Sequence, residues 1–216
     1  MSSRKKLIAD LLFGVQIVGA SVFCGAYLYR SIYDVTGSSL VQFALAAIYL
    51  LFHLALGMSA HKMAPSRVTR QAVATYAIWL VLFGGVIFAA ATNPAYRWSE
   101  GETAQLQTAS LLTVMVLVVV VVQRRKFSYP MIKAFFAIAY KSVPQLLLVW
   151  KFMAEGATGL PGLSVLVGHI TIIIRLGQIY FMVREAGWDR NRVWLAISET
   201  ANELSWIAAT TAWLLI

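Results

Sequence analysis

Lys141-Ser142-Val143-Pro144-Gln145 interrupts the run Met131 to Phe152, which is otherwise apolar enough to span a membrane. Proline donates no backbone N–H, and its ring crowds the carbonyl one turn earlier, that of Tyr140. A polar kink is therefore expected at membrane depth. A lysine beside such a kink is costly in hydrocarbon and should face protein or a water-filled cavity. Two further apolar runs carry charges able to meet it: Arg175 in one, and Glu199 and Glu203, one helical turn apart, in the next. These four side chains are expected to share one polar cavity.

The whole chain supports a membrane setting. Its 216 residues are 60% hydrophobic and only 12% charged, with mean hydropathy +0.73, outside the range of ordinary soluble domains. The net charge of +9 is dispersed in short clusters between apolar runs and not along one solvated face. It reads as a topology signal, and nucleic acid is excluded as a partner. The single cysteine, Cys24, permits no internal disulfide and no CxxC metal site. The basic start, Arg4, Lys5 and Lys6, resembles a signal peptide. The apolar run behind it continues to Tyr29 without a clear small-residue cleavage site, so a first transmembrane helix is expected.

Windows of about 20 apolar residues predict seven helices: Leu7 to Tyr29, Leu40 to Ala60, Gln71 to Thr92, Thr103 to Val122, Met131 to Phe152, Leu163 to Val183 and Val193 to Ile216. The breaks between them carry Gly, Pro, Ser and Asn, and all are short. Residues 1–216 thus form one all-α integral membrane domain. With seven spans, most lysines and arginines fall on one side. The other side receives Arg30, Arg97 and Lys151 with Asp34, Glu100, Glu102 and Glu155. The positive-inside bias puts the N-terminus in the cytoplasm and the C-terminus outside, and the expected location is a bacterial-type plasma membrane.

Sliding the chain by about 122 residues brings Val35-Thr36-Gly37 onto Ala157-Thr158-Gly159, each just ahead of a helix. Gln42, Ala46, Tyr49 and His53 then fall on Ser164, Gly168, Thr171 and Arg175, each set forming one stripe on its helix. Two parallel three-helix units, residues 7–92 and 131–216, flanking a lipid-facing linker helix, 103–122, would produce this pattern. Parallel repeats about an axis along the membrane normal are one transporter plan.

Glu199, Asn202, Glu203, Trp206 and Thr210 occupy one face of the seventh helix. Two poorly solvated carboxylates so close do not both ionise easily, which suits a proton carrier; a fixed ion-pair network with Arg175 and Lys141 is the structural alternative. An arginine fork at position 175 suits a carboxylate of the protein or of a solute. His53, His61 and His169 show no metal-binding spacing, and no metal or cofactor is expected. His53 could titrate near physiological pH or serve as an interhelix contact.

Pro144-Gln145, Trp150-Lys151, Gly159 and Gly162-Leu163-Ser164 together resemble the PQ-loop signature, found in SWEET sugar transporters, cystinosin-like exporters and KDEL receptors. The resemblance implies that Pro144 and Gln145 gate access, and that Asn202, with Glu199 and Glu203, lines a solute site between two three-helix units. The first half lacks Pro-Gln. Its third helix offers Thr75, Tyr76 and Gly84-Gly85 and no counterpart of the paired glutamates.

The expected function is transport of a small charged or zwitterionic solute by alternating access. Lys141, Arg175, Glu199, Asn202, Glu203, Trp206, Thr171 and His53 would line the site, Pro144 and Gln145 would gate it, and Glu199 and Glu203 would couple protons. A seven-helix receptor using the same cavity is the alternative. An intramembrane lipid-modifying enzyme is disfavoured, because neither a nucleophile elbow nor a phosphate-binding loop is present. The expected partners are the solute and the lipid bilayer, and the sequence leaves homo-oligomer formation open.

Overall fold

The computed structural model describes residues 3–216; the side chains of Arg4, Lys5 and Lys6, read above as topology signals, lie outside the described residues. Seven long helices account for the fold: α1 (Ser3–Tyr33), α2 (Leu40–Met63), α3 (Arg67–Thr92), α4 (Glu100–Val122), α5 (Pro130–Glu155), α6 (Gly162–Ala186) and α7 (Arg190–Leu215). All but α7 are long and apolar enough to cross a membrane, which makes this a multi-pass membrane fold. At 1.5 Å per residue, 23 residues already exceed a hydrocarbon core of about 30 Å. Helix α7 has the length, but its polar stripe keeps its hydropathy lower.

The helices start where the local chemistry allows it. Ser39, Ser66, Ser99 and Asp189 each accept a hydrogen bond from a first-turn N–H, and Ser66 forms a reciprocal capping box with Thr69. Pro130 opens α5, where its missing N–H costs nothing. Gly156 and Gly187, both at positive φ, end α5 and α6.

Helix α5 is continuous but irregular. Residues Ile138–Ser142 form a π-helical turn, and the N–H of Val143 donates to the carbonyl of Ile138. The expected proline kink is thus accommodated by one wide turn immediately before Pro144, and that turn contains Lys141.

Helix α3 packs on both α1 and α2, and α7 packs on both α5 and α6; α1 also meets α6, and α2 meets α5. The turns Val35-Thr36-Gly37 and Ala157-Thr158-Gly159 lie against each other at one end of the bundle. The N–H of Gly159 donates to the carbonyl of Thr36 at 3.0 Å, and Arg30 donates through Nε and Nη2 to the carbonyl of Thr158 at 3.1 and 2.8 Å. A β-carbon on Gly159 would sit 2.6 Å from the Thr36 carbonyl oxygen, so only glycine permits this approach. Phe23, Tyr27, Phe43, Trp79, Phe83 and Trp206 form a connected aromatic cluster in the centre.

Glu102 and Lys151, grouped by the sequence with Asp34 and Glu155 on one side, are 0% and 1% exposed and face each other inside the bundle. Both lie within a turn or so of a helix end, where a charge normally reaches water; here the end of α4 is packed against α5. For the same reason α4 is not wholly lipid-facing: it begins at Glu100, and Gln105 is also fully buried.

Candidate functional site

A cavity of about 170 Å³ opens between α2, α3, α5, α6 and α7. Its lining runs from the helix ends at Pro130 and Asn191 to a floor near mid-bundle that contains Arg175, Glu199 and Tyr49. The mouth lies at the end carrying Arg124, Arg125, Lys126, Arg190 and Arg192, called here the basic end. The Thr-Gly turns, Glu102 and Lys151 lie at the opposite, acidic end.

The floor is built around Glu199, which is buried. Lys141 Nζ lies 3.8 Å from Glu199 Oε2, and Arg175 Nε lies 3.6 Å from Oε1. Both separations exceed those of tight charge-assisted hydrogen bonds, about 2.7–2.9 Å. The π-turn aims Lys141 at this spot: its ammonium also sits 5.1 Å from the centre of the Tyr49 ring. Arg175 is further oriented by donating to Gln178 Oε1 at 3.1 Å. His53 packs on Tyr49 with ring centres 4.1 Å apart and planes tilted by 40°, and its Nδ1 lies 3.1 Å from the Tyr49 carbonyl. A carbonyl only accepts, so the proton sits on Nδ1.

Of the four charges expected together, three meet and one does not. Glu203 accepts from His169, whose Nδ1 is 2.8 Å from Oε1, while His169 Nε2 lies 2.9 Å from Thr210 Oγ1. The reason is antiparallel packing of α6 and α7. One turn along α7 from Glu199 moves about 6 Å toward the acidic end, past Arg175 and to the level of His169.

The remaining predicted residues support the site without lining it. Asn202 is buried, and its Oδ1 has no hydrogen-bond partner among the described residues. Trp206 donates to the Val165 carbonyl at 3.2 Å and packs across Gly168, where a β-carbon would come within 2.6 Å of the indole nitrogen. Thr171 donates to the Gly168 carbonyl and packs against α1 at Gly19. Gln145 accepts from Ser205 at 2.9 Å, and Gln105 donates to the Pro144 carbonyl at 3.1 Å, so both expected gating residues are held by neighbouring helices. Sequence reasoning missed Tyr76, Lys133 and Trp194 as cavity residues. Lys133 belongs to the side that carries most lysines and arginines, and it lies eight residues from Lys141 on the same helix.

At the acidic end a second polar cluster forms around the buried Lys151 and Glu102, with Glu155 at its exposed edge. Lys151 Nζ lies 3.7 Å from Glu102 and 3.6 Å from Glu155. Glu102 accepts from Tyr96 and from the N–H of Val41, and the Ser39 hydroxyl, 3.3 Å from Glu102, donates to Gln105 Oε1 at 2.5 Å. The Tyr96 hydroxyl is held well above the usual phenol range by burial and by its bond to Glu102. Among the described residues, no group of three or more His, Cys, Asp or Glu side chains is placed to hold a metal ion. Comparison with family models, curated proteins and solved structures finds no match to this chain.

Proposed function

We propose that this chain is a small membrane transporter that moves a polar, charged solute by alternating access about the Pro144 bend. The observation that carries the reading is the one-ended cavity whose floor holds Glu199 and Arg175, with Lys141 brought to Glu199 by the π-turn before Pro144. Underpaired charges at membrane depth are costly, and a solute is the ordinary reason to keep them.

The element bounds favour two parallel three-helix units and seven spans. Leu40 and Gly162, and Tyr33 and Glu155, stand 122 residues apart; Arg67 and Arg190, and Thr92 and Leu215, stand 123 apart. In each set the third helix packs against the other two, and the cross-contacts α1 with α6 and α2 with α5 interchange under a two-fold axis. That axis would pass between the two Thr-Gly turns. On these offsets His53 pairs with Arg175 and Tyr76 with Glu199, and all four line the cavity. The arrangement agrees with what the PQ-loop resemblance implies, with α4 as the connector.

With the N-terminus in the cytoplasm, the cavity faces inward, and the Lys151 cluster and aromatic centre close the outer side. Protonation of Glu199 releases Lys141 and Arg175 for a solute, and Glu203 with His169 offers a neighbouring proton station. Purified protein in liposomes under an imposed pH gradient tests this. Solute flux should depend on the gradient, and the double variant Glu199→Gln, Glu203→Gln should abolish that dependence. Flux that is the same for the double variant as for the wild type removes the coupling mechanism.

A further inference from the structure

Within the transport reading, we infer that the cavity takes a small organic dicarboxylate, one carboxylate on the floor and the second toward the mouth. The cavity carries a surplus of positive charge. Among the described residues, Lys133 and Arg175 line the cavity and Lys141 reaches Glu199 at its floor, so three cations stand at a site with one lining carboxylate, Glu199.

The cations form two stations. At the floor, Lys141 and Arg175 both approach the single carboxylate of Glu199, at 3.8 and 3.6 Å, so the two cations exceed it by one charge. Near the mouth, Lys133 has Asn191 Oδ1 at 3.4 Å and no carboxylate partner among the described residues. Eight residues separate Lys133 from Lys141 along α5, about 12 Å at 1.5 Å per residue. Long lysine side chains can close part of that gap, leaving a span suited to a four- to six-carbon chain between two carboxylates. The volume agrees: a cavity of about 150 Å³ holds a benzene-sized molecule, and this one, near 170 Å³, opens outward at the mouth. The tyrosine rings of Tyr49 and Tyr76 supply the apolar walls and add hydroxyl donors. A diamine would meet three like charges, and a neutral diamide would leave both stations unmatched.

The test is a binding series on the detergent-purified full chain, with thermal unfolding and calorimetry as readouts and succinate, butyrate, 1,4-diaminobutane, succinamide and glycerol phosphate as probes. Succinate should raise the unfolding midpoint and bind at least tenfold more tightly than butyrate. Lys133→Gln should erase that preference while butyrate binding stays within about twofold, and Arg175→Gln should abolish binding of both acids. If Arg175→Gln does not fold, Arg175→Lys, which keeps the charge and loses the fork, should weaken both acids in parallel. Equal binding of the diamine or the diamide, or acid binding indifferent to both positions, overturns the inference. Tighter binding of glycerol phosphate than of succinate overturns it in favour of a phosphate or lipid headgroup. The two readings fail separately: succinate that binds but is not moved across liposomes contradicts transport alone, and flux of a cation or neutral solute without flux of acids contradicts the dicarboxylate alone.

Discussion

The ammonium of Lys151 lies 3.7 Å from the carboxylate of Glu102, and the two side chains are 1% and 0% exposed. Breaking such a pair leaves one charge buried without its partner, whereas removing both is far milder. Lys151→Met alone should therefore lower stability by about 3–5 kcal/mol, read as a fall in the thermal unfolding midpoint. Lys151→Met combined with Glu102→Gln should recover most of that loss. Additive losses would show that the two do not act as a pair.

The docking of the two Thr-Gly turns predicts opposite outcomes for two glycines. Gly159→Ala forces atoms into the Thr36 backbone and should cost about 1–3 kcal/mol. Gly84→Ala on α3, where nothing lies within 4 Å, should be neutral or stabilise by up to about 1 kcal/mol through helix propensity. Equal effects in paired unfolding curves would contradict the turn-to-turn contact.

Pro144→Ala should separate stability from function. Alanine restores an N–H able to reach the Tyr140 carbonyl, and the π-turn can then close to regular α-helix, rotating Lys141 by about 100°. The unfolding midpoint should stay level or rise, while solute affinity falls at least tenfold. Loss of both together would point to a merely structural proline.

Asp34, at the acidic end beyond α1, predicts a pH dependence. Desolvation is the largest single influence on its pKa and raises it, but the hydrogen bonds from Thr36 and Thr158 and the nearby Arg30 together outweigh it and hold the carboxyl below its usual 3.8. A carboxyl whose folded value is depressed adds stability above the unfolded pKa and loses it as pH falls through the folded one. The stability difference between wild type and Asp34→Asn should be constant above about pH 5 and shrink toward zero below about pH 3. A difference that grows on acidification would reverse the assignment.

The parts of this architecture visible in the sequence are those that violate a bulk preference. Lys141, Arg175 and Glu199 stood out because charges inside apolar runs are rare, and their stripes put them on known helix faces. Tyr49 and Tyr76 gave no comparable signal, since tyrosine is at home both in a core and beside a cavity. Under the proposed repeat, the pairing of Tyr76 with Glu199 requires an offset of 123 residues, one more than the 122 that the sequence comparison used. The burial of Glu102 and Lys151 was not legible, because charges near helix ends usually snorkel to water, and packing of α4 on α5 prevents it here. The partner of Glu203 was beyond reach for a different reason: spacing within α7 says nothing about the level at which α6 passes it.

Alternating access requires that the floor of the cavity be reached from both sides of the membrane. With Cys24→Ala removing the buried native thiol, Ser198→Cys places a single reporter in the cavity lining. Its reaction with a membrane-impermeant methanethiosulfonate is then measured in sealed vesicles of each orientation. The cysteine should react only from the basic side at rest, and from the acidic side as well with transported solute present or when Lys151→Met and Glu102→Gln are combined. Reaction confined to the basic side under every condition would mean a fixed pocket and no alternating access.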